Sequence, residues 1–110
     1  MSTSRPEKLS EAEIAAALSK LPEWKLQGGK LRREYKFADF VAAFGFMTGA
    51  ALVAQAMDHH PEWFNVWNVV RVDLATHDAG GVTALDVELA HAMEELAGRQ
   101  LAGAVAVKGP

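Results

Sequence analysis

Two of the chain's four histidines, His59 and His60, are adjacent, with Asp58 before them and Pro61 after. A third, His77, stands directly before Asp78 and just ahead of the pair Gly80-Gly81. Imidazole donates and accepts protons near neutral pH without large perturbation. A converging set of His59, His60 and His77, with Asp58, Asp78 or Asp86 nearby, therefore suits general acid–base catalysis. Taken singly, each residue has a plainer reading. His59 and His60 can cap the last carbonyls of a helix, and His77 can be a surface residue of a strand. Asp86 fits Thr83-x-x-Asp86, an acidic residue favoured at a helix start. His91 reads as a surface residue. A metal centre is not expected, because consecutive side chains on a helix diverge by about 100° and helical ligand pairs sit three or four residues apart. Nothing marks a nucleophilic enzyme: the chain has no cysteine and no Gly-x-Ser-x-Gly elbow. Gly80-Gly81 before a helix is too weak a signal for a phosphate loop.

The elements that must position these residues follow from periodicity. Ser10, with Glu13 at capping-box spacing, starts a first helix whose apolar face is Ile14, Leu18 and Leu21. "EWKLQ" and "KLRREYKF" alternate as strands around a Gly28-Gly29 hairpin turn, with Leu31, Tyr35 and Phe37 opposite Arg32, Glu34 and Lys36. Phe40 to Met57 is an uncharged run that contains Gly45-x-x-x-Gly49. Its length meets the threshold for a membrane span, but its many alanines, Thr48, Gln55 and the lack of basic flanks favour a helix buried on two sides, by its own sheet and by a second subunit. "FNVWNVVRVDLATH" reads as two strands divided near Asn68. Val70, Val72 and Leu74 face the core; Arg71, Asp73, Ala75 and His77 face away. Thr83 opens a last helix with the stripe Leu85, Leu89, Met93 and Leu96. The tail "AGAVAVKGP" has no assignment, and residues 1–8 and 102–110 are expected to be flexible. The predicted fold is α+β, a two-layer sandwich whose four-stranded antiparallel sheet carries helices on one face, in the order β-β-α-β-β-α after an N-terminal helix.

Composition bounds the rest. The 110 residues, with half of them apolar and a net charge of −3, make one domain with a single core. No basic cluster exceeds Arg32-Arg33, which argues against a nucleic-acid surface. The start "MSTSRPEKLSEAE" has neither the apolar run of a signal peptide nor the character of a transit peptide, so a cytoplasmic location is expected, with no membrane partner.

The stretch "AFGFMT…MDHHPEWFNVWNVVRVDLATHDAGGVTALDVELA" resembles the pterin-4a-carbinolamine dehydratase family. The resemblance covers about Trp24 to Leu96 and rests on His59-His60-Pro61, Trp67, His77 and Asp86, with "HHPEWFNV" its most specific part. It implies a hydro-lyase that removes water from 4a-hydroxytetrahydrobiopterin to give quinonoid dihydrobiopterin, recycling the pterin used by aromatic amino-acid hydroxylases. It implies no metal and no organic cofactor. Carried over, His60 and His77 would be the acid–base pair beside the carbinolamine, and His59 would assist or orient. Asp58, Pro61, Trp63, Ala75, Thr76 and Asp78 would bind or line the pterin, with Trp63 as a wall. Asp86 would support the site from the last helix.

Two positions depart from the family pattern. Gln55 stands where an ionisable residue is usual, and it can hydrogen-bond a histidine but cannot stabilise an imidazolium by charge. Ala75 stands where animal members have serine. Animal members also serve as dimerisation cofactors of a homeodomain transcription factor, so the alternative expectation is an oligomeric interaction scaffold with little catalysis. The Phe40–Met57 helix and the sheet edges are the expected contacts of a homodimer or homotetramer.

Overall fold

The computed structural model describes residues 6–106. The elements are helix α1 (Glu11–Leu18), strands β1 (Lys25–Gln27) and β2 (Lys30–Lys36), helix α2 (Phe40–Met57), strands β3 (Glu62–Val66) and β4 (Val69–Leu74), a 3-10 turn (His77–Ala79) and helix α3 (Ala84–Ala106). All strand pairs are antiparallel, in the order β1-β2-β4-β3. This is the expected α+β architecture.

Local chemistry accounts for the boundaries. The Ser10 hydroxyl accepts from the Glu13 backbone N–H, and the Glu13 carboxylate accepts from that of Ser10, completing the capping box, a device that contributes about 1 kcal/mol. Helix α1 stops at Leu18, so the expected face is cut short and Leu21 reaches the core from the following turn. Gly28 and Gly29 both take positive φ, 61° and 78°, as a tight two-residue hairpin turn demands. The β3–β4 turn falls at Trp67 and Asn68; the Asn68 amide donates to the Phe37 carbonyl at 2.8 Å.

One face of the sheet carries the core. Leu31, Tyr35, Val70, Val72 and Leu74 meet Ala43, Phe46, Ala50 and Ala54 of α2 and Leu89, Ala90, Met93 and Ala97 of α3. The stripe of α3 differs from expectation: Leu89 and Met93 are buried, but Leu85 and Leu96 are only half-buried, and Asp86 takes a central place. A fully buried carboxylate there signals an interaction strong enough to offset its desolvation. Helix α3 continues through residues 102–106, the start of the tail left unassigned from sequence; with alanine-rich composition and no proline before the end, nothing local stops it. The flexibility expected at 1–5 and 107–110 lies outside the described residues.

Helix α2 is long and apolar enough to cross a membrane by length and composition. Ala43, Phe46, Ala50 and Ala54 are its buried residues, while Phe40, Val41, Phe44 and Leu52 remain exposed.

Candidate active site

The end of α2 is built by one left-handed residue. Asp58 adopts φ 54° and ψ 42°, and its N–H donates to the Gln55 carbonyl while that of His59 donates to the Ala54 carbonyl. This double bond pattern is the Schellman exit, and aspartate is among the few non-glycine residues that tolerate it. The histidines therefore lie beyond the helix, not on it, and the chain reversal sends them opposite ways. His59 is buried, 9 % exposed, whereas His60 is exposed.

His59 Nε2 lies 2.5 Å from Asp86 Oδ1. A carboxylate only accepts, so the ring carries a proton on Nε2. The other oxygen, Asp86 Oδ2, accepts from the Thr83 N–H at 2.9 Å and from the Thr76 hydroxyl at 2.8 Å. Asp86 thus caps α3, as the plainer sequence reading held, and also binds a histidine from the other side of the fold. His60 Nε2 is 3.0 Å from Gln55 Oε1, one turn back along α2.

The opposite wall comes from the exit of β4. The strand ends at Leu74, and Thr76 pairs with Gly81 in an isolated bridge that closes a short loop. His77 opens the 3-10 turn inside that loop, so it is a turn residue instead of the strand residue expected from alternation. The Thr76 N–H donates to the Gly81 carbonyl at 2.8 Å, and its hydroxyl lies 2.7 Å from that of Thr83. These bonds free the Thr76 backbone from the sheet ladder and end the alternating pattern.

The two exits meet at a depression of about 260 Å³ lined by Asp58, His59, His60, Ala75, Thr76, His77 and Asp78. That is enough for a small bicyclic heterocycle and below the usual range for drug-sized ligands. Pro61 and Trp63 are not among the lining residues. Trp63 pairs with Val72 on the helix-facing side of the sheet and packs against the core, because alternation along β3 turns it inward. Gln55 and Asp86 stand behind His60 and His59.

A larger depression, about 430 Å³, lies among Lys25, Arg32, Glu34 and Arg71 on the other sheet face. It has no histidine, and Arg32 is already committed to both oxygens of Asp73. The smaller depression, which holds the three histidines, is the candidate site. Among the described residues no group of three or more His, Asp or Glu side chains is arranged to hold a metal ion.

Sequence reasoning missed Glu62 and read Thr83 only as the start of the last helix. Glu62 Oε2 is 3.2 Å from His77 Nε2, and Oε1 is 2.6 Å from Lys30 Nζ. The Lys30 hydrogen bond, opposed by burial and reinforced by the charges of Lys30 and His77, holds the Glu62 carboxyl below the usual carboxylate range. The only signal in the sequence was Glu62's place two residues after the histidine pair.

Comparison with known proteins shows the family and the fold. Residues 7–96 match the family described as pterin 4 alpha carbinolamine dehydratase. A Solibacter usitatus protein named "Putative pterin-4-alpha-carbinolamine dehydratase" is 62% identical over 90 residues, 82% of this chain and 95% of that protein. A Rhizobium johnstonii protein of the same name is 53% identical over 95 residues, 84% of this chain and 94% of its own length. A crystal structure of a transcriptional coactivator/pterin dehydratase from Brucella melitensis is similar with a TM-score of 0.80 and 48% identity, covering 83% of this chain and 99% of that one.

Proposed function

The chain belongs to the pterin 4 alpha carbinolamine dehydratase family, and from that premise we propose that it dehydrates 4a-hydroxytetrahydrobiopterin by histidine acid–base catalysis at the His59/His60/His77 depression. Loss of water from a carbinolamine breaks the C4a–O bond, removes the N5 proton and forms a C=N bond. The chemistry needs one proton delivered to the departing hydroxyl and one taken from nitrogen, with no electron transfer.

The observation that carries the reading is the convergence of the α2 exit and the β4 exit on one depression, with an exposed imidazole from each. His60 and His77 are the accessible pair and act as acid and base. His59, held by Asp86, orients the wall between them. Asp58, Ala75, Thr76 and Asp78 line the pterin, while Pro61 and Trp63 support the site from behind. Each positioned proton-transfer group is worth roughly 10²–10⁴ in rate. The reaction recycles the pterin of an aromatic amino-acid hydroxylase, in the cytoplasm, and needs no cofactor.

The test is the ultraviolet-monitored dehydration of enzymatically generated 4a-hydroxytetrahydrobiopterin by wild type and His60→Ala. Acceleration over the spontaneous reaction, lost in the variant, supports the reading; a folded wild type indistinguishable from buffer overturns it.

A second reading concerns assembly. Phe40, Val41, Phe44 and Leu52 are exposed on α2, the first three lining a groove of about 380 Å³, and the edge strand β3 and its turn expose Phe64, Val66 and Trp67. Exposed apolar area of this kind marks an interface. We propose a homodimer or homotetramer through these surfaces. The α2 face would also serve a scaffold, the role that the coactivator description of the Brucella protein brings to mind.

A further inference from the structure

We propose that Glu62 is the positioning residue for His77, fixing the imidazole at the rim of the depression through one carboxylate oxygen while Lys30 anchors the other; the proposal rests on the dehydratase reading and deepens it. The His77 side chain is 81% exposed and sits on a three-residue 3-10 turn. No packing restrains it, so its rotamer is set by polar contact alone. That contact is Glu62 Oε2 at 3.2 Å.

Glu62 is itself restrained. Its Oε1 is 2.6 Å from Lys30 Nζ, and the sheet order places β4 between the strands that carry the two residues. The registers Leu31↔Leu74 and Glu62↔Asp73 put the Lys30–Glu62 pair across the end of β4. The pair straps the point at which the chain leaves the sheet for Ala75, Thr76 and His77. Two other carboxylates stand close by. Asp73 is engaged by the Arg32 guanidinium at 2.7 and 3.1 Å, and Asp78 adjoins His77 on the exposed turn. Glu62 is therefore the carboxylate that meets the ring, as an anion held by lysine. It does not line the depression, so it acts on the substrate only through His77. A proton-transfer group must be held in near-attack geometry for its full effect, and an exposed imidazole on a short turn has no other means.

The experiment compares full-length wild type, Glu62→Gln, Glu62→Asp and His77→Ala in the dehydration assay, together with NMR measurement of His77 ring order in the free protein. Glu62→Gln is expected to lower kcat by about 5- to 30-fold with KM within about twofold, and the His77 ring becomes rotationally averaged. Glu62→Asp restores part of both. A merely structural role in β3 would not move kcat alone or the ring signal. If Glu62→Gln matches wild type in kcat and ring order while His77→Ala is inactive, the positioning role is overturned and the dehydratase reading stands. If wild type shows no acceleration, both fall. Should Glu62→Gln fail to fold, Lys30→Met carries the test: a smaller loss of kcat in the same direction is expected, and an unchanged kcat overturns the proposal.

Discussion

His59 and Asp86, 27 positions apart, meet at 2.5 Å in the interior and join the exit of α2 to the start of α3. Asp86 is fully buried and satisfies three donors, on His59, Thr76 and Thr83. Removing it leaves the His59 ring and the Thr83 N–H, both buried, without that acceptor, while the Thr76 hydroxyl keeps the Thr83 hydroxyl at 2.7 Å. Asp86→Ala is expected to cost about 3 kcal/mol of stability, read as a lower urea midpoint at unchanged slope. Asp86→Asn keeps the shape and an acceptor oxygen and should cost less than half of that, yet lower kcat by freeing the His59 ring. An alanine variant as stable as wild type would remove Asp86 from its place as the hinge of the site.

Gln55 offers a neutral oxygen to His60 Nε2 at 3.0 Å. Gln55→Glu puts a carboxylate there, which favours the protonated ring, weakly because the pair is exposed to solvent. Whether His60 acts as acid or base, the limb of the pH–rate profile that it controls moves to higher pH. Superimposable profiles for the two proteins would show that His60 is not tuned from this position.

Local chemistry made much of the fold legible in the sequence. The Ser10/Glu13 box, the Gly28-Gly29 turn, the span of α2 and the alternation of β2 and β4 are each determined within a few residues. What could not be read depends on contacts between distant segments. The left-handed Asp58 separates a buried His59 from an exposed His60, a division that two adjacent letters do not carry. The pairing of His77 with Glu62 and of Glu62 with Lys30 follows from the position of β4 between their strands. Asp86 looked like a helix cap and is one; its second role needed the α2 exit to fold back onto α3.

Glu94 shows the same dependence and has a pH signature. Its Oε2 accepts from Trp24 Nε1 at 2.9 Å, Arg33 Nε at 3.0 Å and the Tyr35 hydroxyl at 2.5 Å. Burial alone would push its carboxyl up, but the bonds from Tyr35, Arg33 and Trp24 and the charge of Arg33 outweigh this and hold it below the usual range. Burial first, then the bond to Glu94, pushes the Tyr35 phenol far up, so it stays a donor. A carboxyl lowered in the folded state contributes stability that is complete above the unfolded range and is lost as pH falls through the folded value. Glu94→Gln should therefore cost about 2 kcal/mol at pH 7. That difference from wild type should hold down to about pH 5 and shrink below it. A gap that widens on acidification would contradict the assignment.

The outer face of α2 gives the last prediction. Phe44 is 53% exposed and lies beside Phe40 with ring centroids 5.7 Å apart and the rings tilted by 44°, while Phe46, two residues on, is buried against Tyr35 and Phe37. If the α2 face is the proposed interface, the two phenylalanines separate folding from assembly within one helix. Phe44→Glu should leave the protomer's unfolding free energy within about 0.5 kcal/mol of wild type when compared at the same oligomeric state, because an exposed site carries little packing. In sedimentation velocity it should shift the protein to a smaller species, since a charge in an apolar interface is desolvated without a partner. Phe46→Ala should do the reverse, costing about 3 to 5 kcal/mol of stability while any folded fraction keeps its assembly. If Phe44→Glu sediments as wild type does, the α2 face is not the interface, and the edge strand β3 with Phe64 and Val66 takes its place as the surface to disrupt.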